Sequence, residues 1–268
     1  KFIDAIKSKS KNDISPLSSL SMSLAAKIGV GSLSGIALSI YIGGIGSIFW
    51  MWLCGILGMV IKLAEAALSV RYRIKDGGEY FGGPMYVISR GMKGKFRWLA
   101  GLYSFFGVVA AFGVGNATQI NAVIGGLNDC ITAFGGTASQ EINLLLGLLL
   151  GVLVLVLLWG GAGRIGAVAE RLGPFAAASY LLLGTVVLVL CRSAIPGAFA
   201  SIIQGAFSPR AATGGVVGSM MVTLRVGVSR GVFTNEAGMG TAGIAHAGAN
   251  VRHPLEQGLM GIMEVFLD

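Results

Sequence analysis

Charge is scarce in this sequence: 12% of its residues are Asp, Glu, Lys or Arg, against about 25% in an average soluble domain. A surface that poor in charge is not one that water solvates, so a soluble domain is excluded. Cysteine is rare too, and the three present show no metal-ligand spacing. Cys54 falls inside an apolar run, and Cys130 and Cys191 fall at the outer ends of two others; they are either unpaired small residues or one disulfide. His246 and His253 are too far apart for a helical metal pair, and no acidic cluster joins them. No nucleophile–base pair stands out, so the chain is not expected to be an enzyme. The formal charge of +8 is not a nucleic-acid footprint, because the basic residues fall between apolar spans rather than on one soluble face.

What the chain does have is apolar length. Hydrophobic residues make up 54% of it, the mean hydropathy is +0.78, and there are 43 glycines, which suit close helix packing in lipid. A helix needs about 20 residues to cross the hydrocarbon core. Spans are predicted near Pro16–Gly43, Gly46–Tyr72, Leu99–Leu127, Ile142–Gly160, Gly173–Cys191 and Gly214–Ala249, with a seventh beginning at Gly258. These divide the chain into a cytoplasmic leader (1–15), three spans (16–127), two spans with their connections (128–213), and the sixth span with the start of the seventh (214–268). Residue 1 is Lys and the chain ends inside an apolar run, so an incomplete fragment of a longer all-α membrane protein is expected.

The basic residues orient these spans. Inner segments hold Lys1, Lys7, Lys9, Lys11, Arg71, Arg73, Lys75, Arg90, Lys93, Lys95, Arg97, Arg164, Arg171 and Arg252; outer segments hold only Arg192 and Arg210. That asymmetry places the amino terminus in the cytoplasm.

Two of the predicted spans are broken in the middle. The first contains Lys27-Ile28-Gly29-Val30-Gly31-Ser32-Leu33-Ser34-Gly35, and the second runs from Arg225 through Arg230 and Glu236 to Gly238. Backbone that leaves the helix inside hydrocarbon loses hydrogen bonds that lipid cannot replace, so such breaks persist only in protein or in a wet cavity. One side of a break offers free N–H groups and the other free carbonyls, which suits a small zwitterion or a cation. The broken spans are the first and the sixth, and five spans separate their starts. That spacing predicts an inverted repeat of five helices with substrate at the breaks.

Candidate substrate residues are therefore Gly29, Gly31 and Ser32 at the first break, and Thr234 and Asn235 at the second. Asn116 and Gln119, three apart on the third span, either glue helices together or touch the ligand. Gly35 serves either helix packing or the approach of the ligand. Lys27, Arg225, Arg230 and Glu236 are candidate ion-coupling or gate residues. Mutual pairing of the two arginines with Glu236 offsets the cost of intramembrane charge, either in a gate or as a purely structural pair. Lys62 and Glu65 read as a structural pair, or Lys62 snorkels to the inner interface, in preference to a proton relay. His246 reads as a packing or gate residue. Gly238-Met239-Gly240-Thr241-Ala242-Gly243 matches a dinucleotide fingerprint, but no strand precedes it, so that reading is rejected.

Several stretches resemble the alanine or glycine:cation symporter family. They are Phe49–Met59 running on to Lys62-Leu63-Ala64-Glu65, Gly82-Gly83-Pro84-Met85-Tyr86, Phe112-Gly113-Val114-Gly115-Asn116 with Gln119, and Arg230–Gly240, followed by His253-Pro254, Gln257-Gly258 and Glu264-Val265-Phe266. The resemblance runs from about Ile14 to the last residue. It implies the leucine-transporter-like architecture, a bacterial plasma membrane, and import of a small neutral amino acid such as alanine or glycine with sodium. By that similarity the substrate lies between the two breaks and Gln119, in a glycine-lined pocket too tight for bulky side chains. Proton-coupled or cation-independent transport, or a channel-like protein, is the alternative.

Two positions depart from the family pattern. Its first break typically reads Thr-Val-Gly-Thr-Gly-Asn, where this chain has Lys27 to Ser32. Lys27 either lies near the carbonyls that would meet a coupling cation, or snorkels or pairs with an acid elsewhere. Gly243 stands where the family commonly has proline, which is expected to loosen that half-helix.

Overall fold

The computed structural model describes residues 16–27, 30–207 and 220–268. Within the first predicted span the structure describes two helical segments, α1 (Pro16–Lys27) and α2 (Val30–Gly43); the expected break between them, at Ile28 and Gly29, lies outside the described residues. α3 (Ser47–Arg71) follows as a long, uninterrupted helix. A two-stranded hairpin then interrupts the helical pattern, with β1 (Ile74–Asp76) antiparallel to β2 (Glu79–Phe81) and Ile74 opposite Phe81. Gly77 and Gly78 make its turn at φ +57° and +93°, the left-handed pair that a two-residue hairpin requires. The expectation of helix alone missed this hairpin, which lies in a polar connection.

α4 (Arg97–Ala110) passes through a π turn (Ala111–Ala117) into α5 (Thr118–Ala133) as one helical path. α6 (Gln140–Leu158) and α7 (Gly161–Leu190) come next. α7 differs from the predicted Gly173–Cys191 span by starting twelve residues earlier and carrying Pro174 inside. Its first part packs on α1, where Gly166 lies against Ser18 and Met22. That contact keeps helical a segment whose charges suggested a loop.

α8 (Ile195–Phe207) falls in a connection between two predicted spans. It meets the start of α3 so closely that a Cβ on Gly46 would lie 2.1 Å from the Gly205 carbonyl carbon. Phe207 completes an aromatic cluster there with Phe49 and Trp50. α9 (Met220–Asn235), α10 (Thr241–Ala247) and α11 (Pro254–Leu267) end the chain.

Among the described residues, four helical segments are long and apolar enough to cross a membrane: Ser47–Arg71, Arg97–Ala133, Gln140–Leu158 and Arg164–Leu190. Together with the shorter helices at the breaks they make this an all-α membrane protein with one small hairpin. α3 is its organising element, packed against α9, α10 and α11. α9 lies on α2 and α10 lies on α1. Cys54, Cys130 and Cys191 are all free thiols.

Candidate functional site

The second break lies further along than the sequence suggested. α9 continues unbroken through Arg225, Arg230 and Thr234 to Asn235, and the interruption is Glu236–Gly240. Glu236, Gly238 and Gly240 take φ of +50°, +91° and +79°, so the chain turns through the left-handed region three times in five residues. Glu236 is not a glycine, and a residue held there persists only where its surroundings over-determine it.

Those surroundings come from α3. The Lys62 ammonium donates to the Glu236 carbonyl oxygen at 3.1 Å and lies 3.4 Å from the Glu65 carboxylate. Glu65 Oε1 accepts from the backbone N–H of Gly238 at 2.8 Å and of Gly240 at 3.1 Å. Lys62 is fully buried, which rules out the snorkelling alternative. Thr241 donates its hydroxyl to Glu236 Oε2 at 2.5 Å, and Tyr103 donates to the Met239 carbonyl at 2.9 Å. The sequence signal for this arrangement was the Lys62–Glu65 spacing, but nothing local indicated which break they serve.

Expected pairing of Arg225 and Arg230 with Glu236 does not occur. A continuous helix rises 1.5 Å per residue, so six residues hold Arg230 about 9 Å along the axis from Glu236. Among the described residues neither arginine makes an ion pair. Both line cavities instead. The larger, about 620 Å³, lies between α2, α5 and α9, with Ser34, Gly35 and Tyr41 on one wall, Thr118 and Gln119 on another, and Arg230 and Phe233 on the third. A smaller one, about 280 Å³, is lined by Ile42, Arg225, Ser229 and Arg230. Arg230 is common to both.

The other candidates scatter. Asn116 sits in the π turn and donates its amide to the Ala111 carbonyl at 2.9 Å, away from the cavity that holds Gln119. The wider π turn removes the shared helix face that a spacing of three implies. Thr234 donates to the Arg230 carbonyl at 2.6 Å, and buried Asn235 turns its amide toward Gly55 and Gly58 of α3. Neither lines the cavity. Ser32 donates to Asp268 Oδ1 at 2.6 Å. Gly31 lies in α2, while Gly29, the side chain of Lys27 and the surroundings of Gly31 lie outside what the structure describes. A cavity of about 620 Å³ is also not the tight pocket expected for the smallest amino acids.

A second buried polar cluster ties α1 to α10 and α11. Glu264 accepts from Ser23 at 2.5 Å and lies 2.6 Å from His246 Nε2. Gln257 Nε2 lies 2.6 Å from His246 Nδ1 and 3.3 Å from Ser19 Oγ, and Ser19 donates to the Ala245 carbonyl at 2.7 Å. Ser19 has one proton and gives it to Ala245, so it accepts from Gln257. That fixes the Gln257 amide nitrogen toward His246, makes Nδ1 an acceptor, and leaves Nε2–H to donate to Glu264. His246 is thus a packing residue with both ring nitrogens engaged, while the Gln257 amide oxygen stays buried without a partner. Gly243 is equally tight rather than loose: a Cβ there would lie 2.3 Å from Ser69 Oγ.

The whole chain, residues 1–268, matches the model of the sodium:alanine symporter family. It is 41% identical over 261 residues to a transporter of Haemophilus influenzae, covering 96% of this chain and 55% of the relative. It is 39% identical over 262 residues to the sodium/alanine symporter of Methanococcus maripaludis, covering 97% and 55%. With the probable sodium/glutamine symporter of Bacillus subtilis it shares 36% over 262 residues, covering 97% and 52%. The chain therefore spans about half the length of these relatives. It belongs to the sodium:alanine symporter family.

Proposed function

With that membership as premise, we propose that the protein is a secondary transporter that imports a small neutral amino acid together with a cation. Sodium is the coupling ion in this reading, and alternating access is the mechanism. The observation that carries it is the cavity between α2, α5 and α9. Ser34 and Gly35 of α2 meet Gln119 and Arg230 there. A guanidinium with no acidic partner among the described residues favours a carboxylate, and it can bind one through two parallel hydrogen bonds. Gln119 adds a donor and an acceptor beside it.

The leucine-transporter-like inverted repeat is supported by the packing of the two segments flanking the second break onto the two segments of the first span, α9 on α2 and α10 on α1.

The test is uptake of labelled alanine by the full-length protein in proteoliposomes, with sodium and proton gradients imposed separately. Sodium-driven uptake is expected. Arg230→Ala should raise KM by about tenfold or more, because a charged hydrogen-bond partner of the substrate is lost. Uptake driven by protons alone would move the coupling to protons, and an unchanged KM in Arg230→Ala would remove the cavity from the substrate path. The cavity's volume favours a second reading, a larger neutral amino acid such as glutamine. Competition by unlabelled glutamine at lower concentration than alanine would select it.

A further inference from the structure

A broken helix presents free carbonyls at one side of the break and free N–H groups at the other. An amino-acid substrate satisfies both with its ammonium and carboxylate. At Glu236–Gly240 the protein supplies the same two charges itself, three residues apart on α3. We propose that Lys62 and Glu65 form an internal zwitterion that fills the second break, holds its shape, and leaves the substrate's charged ends to be met in the α2–α5–α9 cavity. This rests on the amino-acid transport reading for the substrate, but not for the lock on the break.

The geometry is specific. Lys62 reaches the carbonyl side at Glu236, and one oxygen of Glu65 collects both exposed N–H groups, those of Gly238 and Gly240. The other Glu65 oxygen faces the Lys62 ammonium at 3.4 Å, so the two charges are bound to each other as well as to the break. Glu236 in the left-handed region is the strained residue that this clamp retains.

The same stripe of α3 continues beneath α10. Glu65 and Ser69 are four apart on one helix face, and Arg73 follows just past the end of α3. Ser69 lies under Gly243 in the middle of α10. Arg73 donates to the carbonyls of Ala247 at 2.9 Å and Ala249 at 2.5 Å, at the far end of α10. Its guanidinium also stacks on Tyr80 of the hairpin, 3.7 Å from the ring centroid. α10 thus has an anion at its start and a cation at its end, the arrangement its dipole favours. Lys62 and Glu65 are positioning residues: they set where α9 stops and α10 begins, and so where Arg230 stands relative to α2.

The experiment uses the full-length protein with Cys54, Cys130 and Cys191 replaced and Met239→Cys introduced in the break. The rate of labelling by a small water-soluble thiol reagent is measured with and without saturating alanine, then again with Glu65→Gln or Lys62→Met added. Alanine is expected to change the rate in the parent by less than about twofold, whereas Glu65→Gln should speed labelling by about tenfold or more as the break loosens. In uptake, both variants should lower Vmax by about tenfold with KM changed less than about threefold, and Glu65→Asp should recover part of the loss.

Protection of the introduced thiol by alanine in the parent would overturn the proposal, because the substrate would then occupy the break. So would a Glu65→Gln variant with KM raised tenfold and Vmax kept. If the parent takes up no alanine, the transport reading fails, and labelling still decides the clamp: acceleration in Glu65→Gln supports it, an unchanged rate refutes it. Should Glu65→Gln not fold, the parent's response to alanine and the Lys62→Met rate carry the test.

Discussion

α6 and the α10–α11 pair show how differently one apolar chain can use its helices. α6 is leucine, valine and glycine almost throughout, and its large side chains lie exposed along the whole helix. Around α10 and α11, Lys62, His246, Gln257 and Glu264 are all fully buried. A soluble protein would reverse this, with its charges outside and its leucines within. In a bilayer the lipid tails are as apolar as leucine, so burying α6 gains little. Polar groups gain most by leaving the lipid for one another. The polar interior therefore marks where the structure is pinned.

The largest effect expected from breaking this contrast is at Glu264. Glu264→Leu leaves His246 and Ser23 without their acceptor in a sealed interior, and should lower stability by about 3–5 kcal/mol. Thermal unfolding in detergent would show it; a loss below about 1 kcal/mol would mean the network is not holding α1 to α11.

A steric change on the same side should rank second. Gly243→Ala drives a Cβ onto Ser69 Oγ and should cost about 1–2 kcal/mol, most of it recovered in the Ser69→Ala/Gly243→Ala double variant. Additive losses would instead place the strain in α10 itself.

The smallest effect belongs to α6. Leu149→Ala on its exposed face should change stability by under about 0.5 kcal/mol. A loss near that of Gly243→Ala would show that α6 packs against protein rather than lipid.

Much of the fold was legible because the bilayer enforces it. Length and apolar composition located α3, the α4–α5 path and α6, and the glycine-dense stretch after Arg225 located the second break to within about ten residues. What eluded a linear reading was local helical persistence. Arg225 and Arg230 looked like part of a break because charge in lipid is costly, yet α9 runs straight through both and turns them into cavities. The fifth span is predicted from Gly173, yet α7 begins at Gly161 and, packed on α1, carries the helix across Pro174. The π turn at Ala111–Ala117 has no periodic signature, and it separates Asn116 from Gln119.

Composition, span length and residue spacing by themselves determined that this chain lives in a membrane, where its longest apolar helices lie, and that Lys62 and Glu65 share one helix face. Those properties follow from the cost of unpaired backbone in hydrocarbon and from the 3.6-residue turn, both of which act locally. Only the tertiary structure decided that this pair reaches residues more than 170 positions away, that Glu65 closes the second break, and that Arg230 rather than Thr234 or Asn235 faces the cavity. Contacts between distant segments depend on how helices cross and rotate against one another, and no single segment carries that information.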